Sequence, residues 1–291
     1  MPNLKEIRNR ITSVGSTMQI TSAMKMVSAA KLKRAQDAIT QMRPYAEKLQ
    51  EILGNLTASL DISENALAAS RPVNNVLIIA ITSNRGLCGG FNNNIIKRVN
   101  LAVTEEYANA NVSLLTLGKK AKDAFKRSDM YFDTTGTNIP VDMFAALTFE
   151  NVGIVADFAS KAFLEKKFDK VVVIYNSFIN AASQQVKEEQ LLPIVPTEQA
   201  SDKQAGDYIF EPSKEEIVED LIPKTLKIQL FKALLDSNAS EHGARMTAMH
   251  KATDNAKELQ RSLKLSYNKA RQAAITNEIL EIVGGAEALN G

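Results

Sequence analysis

The residues from Ser213 to Gly285 read as one helical stretch. At about seventy residues it measures on the order of 100 Å, against a usual ~8–20 residues for helices of globular proteins. A rod of that length cannot bury its own apolar stripe, so it demands a partner. The opposite end of the chain offers one. Steps of three and four from Leu4 reach Ile7, Ile11, Val14 and Met18, and later Leu32, Ala35, Ile39, Met42, Ala46, Leu49, Leu53 and Leu56. This heptad seam predicts a left-handed supercoil. Its gap falls at Thr21, Lys25 and Ser28, where the apolar residues move to Ile20, Met24 and Val27. The gap predicts a change of contacts there, or a second partner. Pro44 is expected to kink or loosen the helix.

The C-terminal stretch opens with Ser213 and Glu216 at capping-box spacing. Pro223 is expected to break this opening turn from the main rod. Beyond it, Met246, Met249, Thr253, Ala256, Gln260, Leu263, Tyr267, Ala270 and Ala274 repeat the heptad step. This seam is leaner, and its small residues predict close packing. Gly284 and Gly285 are expected to stop or fray the helix.

Between the two helices the period changes. VNNVLIIAIT, VSLLTL and KVVVIYN read as buried strands, and 130–134 as a further one. Helical segments at 95–108, 119–127 and 145–167 alternate with them. QQVKEEQLLPIV and DYIFEP read as extended edge pieces beside prolines. The expected fold is a Rossmann-like α/β domain with a mostly parallel sheet, inserted between two long terminal helices that form an antiparallel coiled coil. The expected boundaries are 1–58 for the first helix, 59–72 for a linker, 73–211 for the α/β domain and 212–291 for the last helix.

Charge narrows the partners. The net charge is +2, yet residues 1–34 hold seven basic side chains against the single acid Glu6. A basic helix on a near-neutral chain calls for nucleic acid, anionic lipid or an acidic protein face. With no Trp in the chain and no nucleic-acid motif, the protein partner is preferred. A lone cysteine, Cys88, excludes an internal disulfide. No apolar run approaches the ~18 residues of a membrane span, and no signal peptide is expected.

Catalytic readings fare poorly. Arg85, Gly86, Gly89 and Gly90 follow the first strand, but no Lys follows the glycines and the GxGxxG spacing is missing. A tight structural turn needing positive φ is the better reading. His242 and His250 stand eight apart with no Cys or acid cluster beside them, so no metal site is expected. No cofactor is expected either.

Three segments carry a resemblance: IRNRITSVGSTMQITSAMKMVSAAKLKRAQ near the start, TSNRGLCGGFN after the first strand, and YNKARQAAITNEILEIVGGAEAL at the end. Together they closely resemble the gamma subunits of the F-type ATP synthases. The resemblance implies a non-catalytic rotor shaft, one copy per complex, on the cytoplasmic face of a bacterial plasma membrane. It implies three alpha and three beta subunits, epsilon and the c-subunit ring as partners. Met24 and Lys25, with Lys31, Lys33 and Arg34, resemble the shaft segment facing an acidic lever loop of beta, and Arg245 belongs to that neighbourhood. Arg271, Gln272 and Thr276, with Glu278 beside them, match polar contacts to beta. The stretch from Ile279 through Ile282 to Leu289 matches the part held in an apolar sleeve. A static coiled-coil scaffold and a nucleotide-binding α/β protein remain the alternatives.

Overall fold

A computed structural model describes residues 4–59, 66–140, 142–194 and 214–290. The expected extended piece DYIFEP and the loop 197–207 lie outside the described residues. The chain divides into two compact units, Ala29–Arg245 on the one hand and Met1–Ser28 with Met246–Gly291 on the other.

The α/β unit is built on a four-stranded sheet in the order β2-β1-β3-β4, with β1 Asn75–Ile81, β2 Asn111–Leu117, β3 Lys170–Phe178 and β4 Gln184–Leu192. Strand β1 is parallel to both neighbours, Ile79 standing beside Leu115 on one side and Val173 on the other. Its near-continuous apolar run is what a strand covered on both faces requires. Helices α2 (Phe91–Leu101) and α3 (Lys119–Phe125) cover one face, through Ile95, Val99, Ala121 and Phe125. Helix α4 (Phe149–Leu164) and residues 222–234 of α5 (Lys214–Asn290) cover the other, through Val152, Val155, Phe163, Leu226 and Leu230. Thr148 caps α4, its hydroxyl accepting from the Asn151 amide.

Several expectations are corrected. The sheet is mixed: β4 runs antiparallel to β3, because the short connection 179–183 permits only a hairpin. Residues 130–134 form no strand, only a single bridge between Tyr131 and Leu114. Helix α2 ends early and passes into a π-helical turn, Ala102–Glu106. That turn brings the Tyr107 hydroxyl to Glu188 of β4, 2.8 Å away. Neither proline interrupts its helix: α1 (Leu4–Ser59) contains Pro44 and α5 contains Pro223. Around Pro223 the buried Ile222 and Leu226 offset the lost hydrogen bond. Helix α5 also continues through Gly284 and Gly285, whose interior cost of about 1 kcal/mol each does not end it.

In the other unit, α1 and α5 meet through a regular series of contacts. Arg8 Nη2 donates to the Tyr267 hydroxyl at 2.7 Å. A Cβ on Gly15 would meet Gln260 at 3.0 Å. Thr253 donates to Thr21 at 2.8 Å. The α5 numbers fall as the α1 numbers rise. Thr21 and Ser28 are buried, while Ile20, Met26 and Val27 are about 60% exposed. Of the residues at the seam gap, Thr21 and Ser28 therefore face inward and Ile20 and Val27 outward, with Met24 and Lys25 half-buried between them.

Candidate functional site

A doubly wound sheet in the order 2-1-3 offers its ligand crevice beyond the C-terminal ends of β1 and β3. In this chain the crevice is lined by Thr82–Gly90 after β1 and by the end of β3, and α5 crosses it. Asp236 lies 3.4 Å from the Ser177 hydroxyl at β3. Gly243 passes so close to the β3–β4 turn that a Cβ would sit 3.2 Å from the Ala181 carbonyl oxygen. Two residues further, Arg245 reaches the loop after β1. Its Nη2 donates to the Arg85 carbonyl at 3.0 Å and to the Gly86 carbonyl at 3.3 Å, while Nη1 meets Glu241 Oε1 at 2.6 Å.

The loop itself is tied from beneath. Ser83 donates its hydroxyl to the Arg85 carbonyl and its amide to Asn92 Oδ1. Asn92 Nδ2 donates to the Ser83 hydroxyl and to Cys88 Sγ. Cys88 is 1% exposed, and burial pushes its thiol above the ordinary value, as suits a packed residue rather than a nucleophile. The first amides of α3 are engaged too: Lys119 donates to Asn84 Oδ1, Lys120 to the Ser83 carbonyl and Ala121 to Thr82 Oγ1. The donors that would cradle a phosphate at this helix terminus thus have partners within the chain. No group of metal-binding side chains occurs among the described residues.

Positive φ falls on Leu87 (63°) and Gly89 (60°), whereas Gly86 and Gly90 have ordinary conformations. The turn is thus held in part by a strained leucine, whose side chain is 65% exposed. The sequence reading passed over Gly118, Asn92 and Glu241. The Glu241–Arg245 pair had a readable signal, acid before base at i, i+4.

The expected contact residues fall into three settings. Met24 and Lys25 are half-buried, while Lys31, Lys33 and Arg34 are exposed. Arg271, Gln272, Thr276 and Glu278 are exposed on α5, followed by Ile279 and Ile282 at 54% and 71%. The side chain of Leu289 lies outside the described residues. Arg245 differs from all of these: its side chain is 9% exposed and turned into the crevice.

A doubly wound domain that fills its crevice with its own helix and carries long terminal helices defines a protein that presents helices. Known proteins match this architecture. The protein-family model described as ATP synthase matches residues 3–289. An ATP synthase gamma chain from Flavobacterium johnsoniae is 61% identical over 292 residues, covering 100% of both chains. Those of Christiangramia forsetii and Cytophaga hutchinsonii are 60% and 54% identical, again over 100% of both. Among solved structures, a chain of the Tetrahymena thermophila mitochondrial ATP synthase central stalk and c-ring superposes with a TM-score of 0.56 at 26% identity, covering 80% of this chain and 99% of that one. A chain of the Euglena gracilis mitochondrial enzyme has a TM-score of 0.65 at 23% identity, covering 98% and 94%, and shares the fold. The chain belongs to the ATP synthase gamma chain family.

Proposed function

We propose that this chain is the central rotor shaft of an F-type ATP synthase, coupling ion flow through the membrane sector to ATP synthesis and hydrolysis on an alpha–beta ring. The observation that carries the reading is the inversion at residues 20–28. Thr21 and Ser28 face inward, while Ile20, Met26 and Val27 are exposed. One face of α1 is committed to its own chain, and the other leaves apolar surface uncovered, as an interaction site does. The pairing of Arg8 with Tyr267 and Thr21 with Thr253 supports an antiparallel coiled coil, left-handed by its heptads.

The chain has no catalytic role in this reading. ATP chemistry belongs to the ring of three alpha and three beta subunits. Epsilon and the c-ring complete the partners of the single gamma copy. Met24, Lys25, Lys31, Lys33 and Arg34 meet an acidic loop of beta, and Arg271, Gln272, Thr276 and Glu278 make polar contacts further along α5. The exposed Ile279 and Ile282, with Leu289, turn within an apolar sleeve, where few directional bonds must break. Among the described residues no helix is long and apolar enough to cross a membrane. The shaft then sits peripherally, on the cytoplasmic face of a bacterial membrane. Coupling arises because an asymmetric shaft binds different states of each beta subunit unequally.

The test is a bead fixed to the α/β unit of the complex on an immobilised alpha–beta ring. Stepwise rotation on addition of ATP is expected, and a static scaffold predicts none. Met24→Lys adds a cation beside Lys25. It is expected to tighten the contact with beta and lower the ATP made per ion translocated; unchanged coupling would remove this segment from the interface.

A further inference from the structure

We infer that Arg245, backed by Glu241, is a positioning residue that clamps α5 to the loop after β1 and carries turning force between that loop and the long helix. The inference rests on the rotor reading and adds a clamp within the α/β unit. Arg245 and both of its partners, the loop after β1 and Glu241, lie within the one compact unit Ala29–Arg245. A loose contact there would let α5 slip against the loop.

Three features make Arg245 the clamp. Its guanidinium binds two successive carbonyls, Arg85 and Gly86, from 160 and 159 residues away in the chain. A planar fork can bridge both at once while a third nitrogen holds Glu241; an ammonium cannot. The loop it grips is stiff below, through the Ser83–Asn92–Cys88 network, but strained above, because Leu87 sits at φ 63°. A leucine there is disfavoured on its own, so neighbouring contacts must hold it. Finally, Gly243 lets α5 approach the β3–β4 turn closely enough for Arg245 to reach. The groups facing the pair are Lys31 of α1, Arg85 of the loop and His242 of α5 itself. A single buried carboxylate thus offsets several cations.

Arg245→Lys keeps the charge and loses the fork. In the assembled complex, amide exchange at residues 85–88 is expected to rise at least tenfold. The angular variance of a bead on the α/β unit, with the ring stalled, is expected to at least double. Glu241→Gln keeps an acceptor of the same shape and is expected to give a smaller rise in both. It carries the test if Arg245→Lys does not assemble. Unchanged exchange at 85–88 overturns the clamp. Faster exchange with unchanged angular variance overturns the force-carrying role. A wild-type complex that never rotates overturns the rotor reading instead, and the exchange measurement then judges the clamp alone.

Discussion

Gly118→Ala is expected to destabilise the α/β unit by more than about 4 kcal/mol, the range reserved for severe local clashes. Gly118 sits at φ 116° between β2 and α3, and an added Cβ would lie 2.0 Å from the Thr82 carbonyl oxygen. Relief by a small shift is blocked. The Thr82 amide donates to the Leu117 carbonyl at 2.8 Å, and Thr82 Oγ1 accepts from the Ala121 amide at 2.9 Å. Moving Thr82 would break the end of the β1–β2 ladder and unseat α3 together. Gly89→Ala is the control: its φ is also positive, but no atom lies within 4 Å of the added Cβ. Only the conformational cost remains there, about 1–2 kcal/mol. Urea denaturation of the isolated subunit compares the two. Equal losses would mean that the Thr82 contact is not what selects glycine.

The second large effect is acid sensitivity through His242. Burial, then the cations Arg245 and Lys31, lower its pKa to about 4. Its Nδ1 is buried and meets no partner among the described residues. In the unfolded chain the imidazole titrates near ~6.5. Between these values the unfolded chain binds a proton that the folded chain refuses, so acidification favours unfolding. The contribution is intact above about pH 6.5 and gone below about pH 4, a loss of about 3 kcal/mol. Burial raises the carboxyls of Glu241 and Asp236, which act with the opposite sign as the pH falls. The difference between wild type and His242→Gln isolates the histidine. Wild type is expected to lose stability relative to the variant across that window, and parallel pH profiles would place the imidazole in contact with water.

The fold was legible where periodicity is long. The heptads of α1 and α5 and the apolar runs of β1, β2 and β3 needed only residue spacing. The sheet's mixed direction was less so, since the polar QQVKEEQ identifies an edge strand without its orientation. Prolines and glycines misled, because Pro223 and Gly284–Gly285 were weighed as local breakers while long-range burial and helix continuity decided. The site divided the same way. The residues proposed as partner contacts came from the resemblance, but the crossing of the crevice by α5 could not. It depends on Gly243 meeting Ala181 and on Arg245 meeting Arg85 and Gly86, residues far earlier in the chain, which no local pattern records. Gly118 is likewise invisible in sequence, being fixed by the approach of one carbonyl.

The pairing of Arg8 with Tyr267 spans 259 residues of chain. At ~5–20 residues per second of synthesis, roughly 13 to 50 s pass between the appearance of the two side chains. Through that interval the first helix leaves the ribosome with its seam uncovered, open to chaperones and to other nascent chains. Thr21 and Ser28, with Lys25 between them, divide that apolar stripe into two shorter runs. The polar gap of the first seam is thus also a safeguard for the chain while it is being made.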